Sequence, residues 1–156
     1  RIVAAARLSP SACNAQPWTL VFVTDPQLRE RLSTAARGPA GTFNTFISKA
    51  PVIAAFVVEP ANTTSFLGTL VTGRKFPLID LGIAAEHLCL RACDLGLGTC
   101  MLGWFDTAAV KRAIKVPRSK TVGLLVTIGY PDLSVPKREK IRKSIEDIRR
   151  WDRYEG

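Results

Sequence analysis

Three uninterrupted apolar runs constrain this 156-residue chain more than any other feature: Thr19–Thr24, Val52–Val58 and Val122–Ile128, all rich in β-branched and aromatic residues. A strand with one face in water alternates apolar and polar residues. A run without alternation needs cover on both faces. Helical stretches lie between these runs. The pattern predicts a three-layer α/β or α+β sandwich, with helices on both faces of a mixed sheet. One domain over residues 1–156 is expected at this length. No linker, internal repeat or low-complexity segment divides it.

The helices are marked by their ends. Asp25-Pro26 joins a capping side chain to a residue suited to the first turn, opening a surface helix over Pro26–Arg37. Asp80–Leu95 carries the stripe Leu81, Ala84, Ala85, Leu88, Ala92 and Leu95, and Gly96 ends it. Ile83, Cys89 and Leu90 make much of the remaining surface apolar, so this helix is expected to be buried on most sides, within the fold or at a subunit interface. Asp106 caps Thr107–Lys115, which stops before Pro117. Gly38–Gly41 and Gly129–Asp132 read as turns, Ala61–Phe76 as a loop with some helix. Thr99–Leu102 is a short apolar segment leading into Gly103-Trp104-Phe105. Arg1–Leu8 reads as the middle of a helix. Met101 is the only methionine, so an N-terminal piece is expected ahead of Arg1.

Net charge is +9 and uneven. Residues 111–153 hold 13 of the 22 Lys and Arg against five acids, which places +8 there. Residues 133–156 read as a basic C-terminal extension, with Ile141, Ile145, Ile148 and Trp151 at helix-like intervals. A basic flank suits nucleic acid, a membrane surface or an anionic small molecule. A recognised nucleic-acid motif and interleaved aromatics are missing. The longest uncharged apolar run, Val52–Val58, is too short to span a bilayer. No signal-peptide pattern opens the chain. The four cysteines imply no disulfide scaffold at this size, so reduced thiols and a cytoplasmic setting are expected. His87, Cys89, Cys93 and Cys100 lack the paired C-x2-C spacing of zinc sites. They, and Cys13, are expected to be packing residues, with no metal.

Most side-chain chemistry is excluded. The single histidine, His87, lies on an apolar helix, and there is no G-x-S-x-G elbow, so a hydrolytic triad has no support. No carboxylate pair stands out. Gly96-Leu-Gly98 followed by Gly103 follows a helix rather than a strand and is no dinucleotide fingerprint. What remains is a site without catalytic side chains, as in enzymes whose cofactor carries the chemistry. The loop Ser9–Trp18 suits a flat heterocycle with polar edges. Its prolines shape the backbone, its small residues permit close approach, and Asn14 and Gln16 offer donors and acceptors.

Three blocks sharpen this: Ala5–Trp18, which contains Ser9-Pro-Ser-Ala-Cys-Asn-Ala-Gln-Pro17; Asp80–Asp106, with Gly96-Leu-Gly-Thr-Cys-Met-Leu-Gly103; and Val122–Asp132 followed by the basic tail. In this order and spacing the chain resembles the FMN-dependent nitroreductase family over nearly its whole length. The resemblance implies a mainly antiparallel sheet and a homodimer with FMN at the interface. It also implies an NAD(P)H-dependent oxidoreductase that passes electrons to nitroaromatic, quinone or related small acceptors. Pro10, Ser11, Ala12 and Asn14 match the loop that contacts flavin, commonly from the partner subunit. Leu102 and Gly103 match the turn whose backbone N–H faces flavin N5. Lys140 and Arg142 match the C-terminal basic pair that reaches the phosphate, and Asn44 is a candidate ring-edge Asn. No side-chain acid is required, so no catalytic residue is assigned. The family also carries an Arg-Arg-Ser-x-Arg segment ahead of its first helix, upstream of Arg1. The alternatives are a flavin binder without turnover and a basic nucleic-acid-binding domain.

Overall fold

The structure, a computed structural model, describes residues 1–38, 41–60, 62–136 and 139–154. Four strands form one sheet: β1 (Trp18–Val23), β2 (Val52–Val58), β3 (Gly98–Leu102) and β4 (Thr121–Gly129), in the spatial order β1-β2-β4-β3. Each neighbouring pair is antiparallel. The mixed sheet expected from strand–helix alternation is thus antiparallel throughout among the described residues. The connections are long enough to return a strand in either direction, so alternation alone does not decide it.

Helices cover both faces, as the apolar runs require. On one side lie α2 (Pro26–Ala36) and α5 (Thr107–Ala113), packed over Ile53, Ala55, Val57 and Leu125. On the other lie α1 (Ile2–Arg7) and α4 (Phe76–Asp94), packed over Ala54, Phe56 and Val126. Successive residues of β2 and β4 therefore enter different cores. That is why these strands show no alternation in polarity.

Local chemistry sets the helix ends. Asp25 Oδ1 accepts from the Leu28 N–H at 2.8 Å, and Asp106 Oδ1 accepts from the Ala109 N–H at 2.9 Å. α4 begins one turn ahead of Asp80, with Pro77 in its first turn, where a missing N–H costs nothing. It ends at Asp94, followed by Gly96 at φ 76°. The Ala61–Phe76 stretch, expected to be loop with some helix, contains α3 (Thr63–Thr72), whose threonines and Gly68 weaken its helical signature. α5 stops at Ala113, two residues short of Lys115. The turn expected at Gly129–Asp132 lies further on, at Asp132–Val135, where Asp132 Oδ1 accepts from the Ser134 N–H and hydroxyl. Among the described residues of the tail, only α6 (Ile145–Ile148) is helical, held by a Ser144–Asp147 capping box. Ile141 and Trp151 share its spacing but lie outside it, because an exposed segment has no packing to extend a helix. Pro39 and Ala40 of the Gly38–Gly41 turn, and Lys137 and Arg138 of the tail, lie outside the described residues.

α4 is not buried on most sides within one protomer. Its core stripe is Leu81, Ala84, Ala85, Leu88 and Ala92, whereas Leu78, Ile79, Gly82, Glu86 and Leu90 face outward. The outward face of α3 adds Phe66, Leu67, Leu70 and Val71. No described helix is long and apolar enough to cross a membrane.

Candidate cofactor site

The loop before β1 is held in an unusual shape. Ser9 Oγ donates to Ala6 O at 2.5 Å, and Ser11 Oγ accepts from the Gln16 N–H at 2.9 Å. Between them a 3-10 turn runs over Ala12–Asn14. Cys13, Asn14 and Gln16 have φ of 51°, 50° and 46°. Left-handed backbone costs roughly 1–2 kcal/mol for an ordinary L residue and somewhat less for Asn. Such strain persists only where the surroundings enforce it.

They do so from three elements. Asp80 Oδ1, on α4, accepts from the Ala12 N–H at 3.1 Å. Asn62 caps α3 by accepting from the Ser65 N–H at 2.9 Å, and its Nδ2 donates to Cys13 O at 3.0 Å. The Glu59 N–H donates to Pro17 O at 3.0 Å. Within the loop, Gln16 Nε2 donates to Asn14 Oδ1 at 3.1 Å, leaving the Asn14 amide nitrogen without a partner among the described residues. Pro10 and Asn14 are exposed; Ser11 and Ala12 are half-buried.

Glu59 also braces this end of the sheet. It accepts from Thr19 Oγ1 at 2.7 Å and pairs with Lys120 Nζ at 2.6 Å, linking the beginnings of β1 and β4 to the end of β2. Lys120 first, then the Thr19 hydroxyl, holds its carboxyl below the usual glutamate value.

The second segment follows β3. Leu102 is buried, its side chain in the core. Gly103 is exposed and has no left-handed φ, and a Cβ built on it meets nothing within 4 Å. The protomer's own fold therefore does not require glycine there. A bare peptide above a strand end fits a flat ring approaching the backbone closely, such as the flavin implied by the resemblance. Beside it Trp104 stacks on Phe43, centroids 5.7 Å apart. Asn44 is left-handed at φ 51°, and its Nδ2 donates to Ala36 O at 3.1 Å, so that nitrogen is committed to anchoring its own segment on α2.

The loop leads into one edge strand, β1, and Gly103 follows the other, β3. Trp18 pairs with Val58 and Val58 with Thr121, while Leu102 pairs with Leu125 as β3 runs toward that same end. With the order β1-β2-β4-β3, the strand that follows the loop and the strand that precedes Gly103 lie three strand spacings apart, about 14 Å. Among the described residues no hydrogen bond joins the loop to Leu102 or Gly103. Lys140 and Arg142 lie in exposed coil, in no ion pair among the described residues.

The remaining candidates stand apart. His87 Nδ1 lies 3.0 Å from Ile83 O, one turn back on its helix. Cys89 is half-buried, and burial pushes its thiol up. Cys13, Cys93 and Cys100 are exposed rather than packed, because each falls on a face the protomer leaves uncovered. Among the described residues no group of His, Cys, Asp or Glu could hold a metal ion.

Sequence reasoning missed Asp80 and Asn62 as supports of the loop. Asp80 was visible as an acid on the core stripe, four residues before Ala84 and eight before Leu88. Asn62 looked like any residue ahead of an unread helix.

The model of the Nitroreductase family matches residues 1–130. A protein of Archaeoglobus fulgidus named as an NADH dehydrogenase/NAD(P)H nitroreductase is 27% identical over 139 residues, covering 84% of this chain and 71% of that protein. A crystal structure of a nitroreductase family protein from Clostridium novyi NT is 28% identical, with a TM-score of 0.76 over 85% of this chain and 72% of that one. The NADPH:FMN oxidoreductase of Vibrio harveyi, solved with NAD+, shares the fold at a TM-score of 0.76 and 20% identity, over 99% of this chain and 67% of that one. With a shared fold and a family match over residues 1–130, the chain belongs to the nitroreductase family.

Proposed function

We propose that this protein is an FMN-dependent oxidoreductase that takes electrons from NAD(P)H and delivers them to a nitroaromatic, quinone or related small acceptor, working as a homodimer in the cytoplasm. The observation that carries this reading is the division of the candidate site: a bare Gly103 peptide after one edge strand, β3, and a strained polar loop before the other, β1. A second copy supplies the missing half, its Pro10, Ser11, Ala12 and Asn14 facing the Leu102-Gly103 peptide of the first. Membership of the family and the flavin and nicotinamide named for the Vibrio harveyi relative support the same cofactors.

FMN, when bound, accepts hydride from NAD(P)H and passes electrons to the acceptor. The chain's own task is to bind and orient it. The Gly103 N–H would face the ring, the Asn14 amide would meet its polar edge, and Lys140 and Arg142 would hold the phosphate. The basic extension would reach across to do this; its Ile141, Ile145, Ile148 and Trp151 are exposed in the protomer. The outward faces of α3 and α4 form the apolar surface that a second copy covers.

The test is reconstitution with FMN. Purified protein is expected to retain flavin through gel filtration, to elute at twice the protomer mass, and to oxidise NADH or NADPH when given a nitrofuran or quinone. A monomer that stays colourless after incubation with FMN overturns the reading.

A further inference from the structure

We propose that Asp80 and Asn62 are positioning residues that hold the Pro10–Asn14 loop in its left-handed shape and so present it to the cofactor. The inference rests on the reading of that loop as flavin-contacting.

Asp80 is only 3% exposed and lies on the core face of α4, one turn before Ala84. It is the fifth residue of the helix, too far inside to cap it. One carboxyl oxygen accepts from Ala12 across 68 residues of sequence, and the other is buried without a partner. A buried carboxyl that is half-unsatisfied brings nothing to α4 itself, where a leucine would pack better. Its one structural product is the tie to the loop.

Asn62 makes the second tie. As a helix cap it needs only its oxygen, which Ser65 N–H occupies. Its nitrogen is free for another role and donates to Cys13 O, the carbonyl of the first left-handed residue. Ala12 N–H and Cys13 O are thus pinned to two different helices, on either side of the point where the backbone turns left-handed. With Ala12 N–H committed to Asp80, the loop's polar offer to a ligand is set by what remains: the Ser11 hydroxyl and the Asn14 amide.

The decisive variant is Asn62→Asp, which keeps the oxygen that caps α3 and removes the donor to Cys13. The expected result is an unchanged apo-protein melting temperature, faster amide hydrogen exchange over residues 12–16, and an FMN dissociation constant raised about tenfold. Asp80→Ala is expected to do the same, and Asp80→Asn, which keeps an acceptor for Ala12, to restore most of the affinity. If Asp80→Ala does not fold, Asn62→Asp decides alone. Parent protein that binds FMN while Asn62→Asp binds equally tightly, with unaltered exchange, overturns the inference and leaves the cofactor reading standing. Parent protein that binds no FMN overturns both.

Discussion

Trp104 stacks on Phe43 with their rings 5.7 Å apart and inclined by 20°, and both stay more than half exposed, at 64% and 54%. The pair joins the residue after Gly103 to the segment after α2. It forms an open aromatic wall beside the bare peptide. Phe43→Ala is expected to cost about 1 kcal/mol of stability, the usual worth of an aromatic pair beyond its area. Urea denaturation reads the loss. Tryptophan emission shifts to the red in the same variant, and Trp104→Phe removes that shifting component.

Gly103 separates a folding role from a binding role. Nothing lies within 4 Å of a Cβ at this position, and its backbone is not left-handed. Gly103→Ala is therefore expected to leave stability within about 0.5 kcal/mol of the parent. A methyl group between backbone and ring is expected to weaken FMN binding about tenfold or more. Thermal melts of the apo-protein and flavin titration test the two halves separately. An alanine variant that binds FMN normally argues against a ring at this peptide.

Gly82 does the same for the proposed dimer. It sits mid-helix on the outward face of α4, in line with Leu78, Ile79, Glu86 and Leu90, and a Cβ there meets nothing in the protomer. Alanine gains about 0.8–1 kcal/mol of helix propensity over glycine. A glycine kept at that cost makes sense where another backbone approaches closely. Gly82→Ala is expected to raise the dimer dissociation constant in sedimentation equilibrium while helix content holds. A tighter or unchanged dimer removes Gly82 from the interface.

Glu59 predicts a pH dependence. Its carboxyl is held below the ordinary value in the folded chain, by Lys120 first and Thr19 second. The stabilisation is complete above the unfolded value of about 4.3 and is lost as pH falls through the lower folded value. Glu59→Gln is expected to cost about 0.5 kcal/mol near neutral pH, as a partly exposed ion pair does. The gap to the parent should close in acid. Melting temperatures of both proteins between pH 7 and about pH 3 reveal it; a gap that widens in acid contradicts the assigned sign.

Much of the fold was legible because burial writes itself into composition. The runs at β2 and β4 lack alternation since Ala54 and Phe56 enter one core while Ile53, Ala55 and Val57 enter the other. Caps were legible too: Asp25 and Asp106 act within three residues of themselves. α3 was not, because a threonine-rich helix with a glycine has weak propensity and is sustained by its Asn62 cap and tertiary contacts. The tail misled in the opposite sense. Its isoleucine spacing is helical, but among the described residues only Ile145–Ile148 folds so, and its isoleucines are exposed in the protomer.

The blocks around Pro10–Asn14 and Leu102–Gly103 could be picked out from residue order alone, because a sharp loop and a bare peptide need particular residue types at particular steps. Tertiary structure alone decided how they relate. Strand order puts β1, which follows the one, and β3, which precedes the other, at opposite edges of the sheet, and pairing between distant strands leaves no mark in local sequence. The same holds for the supports: the Asp80–Ala12 and Asn62–Cys13 contacts span 68 and 49 residues. Local chemistry is encoded by neighbours along the chain, whereas the strain at Cys13 and Asn14 is sustained by residues that only folding brings near.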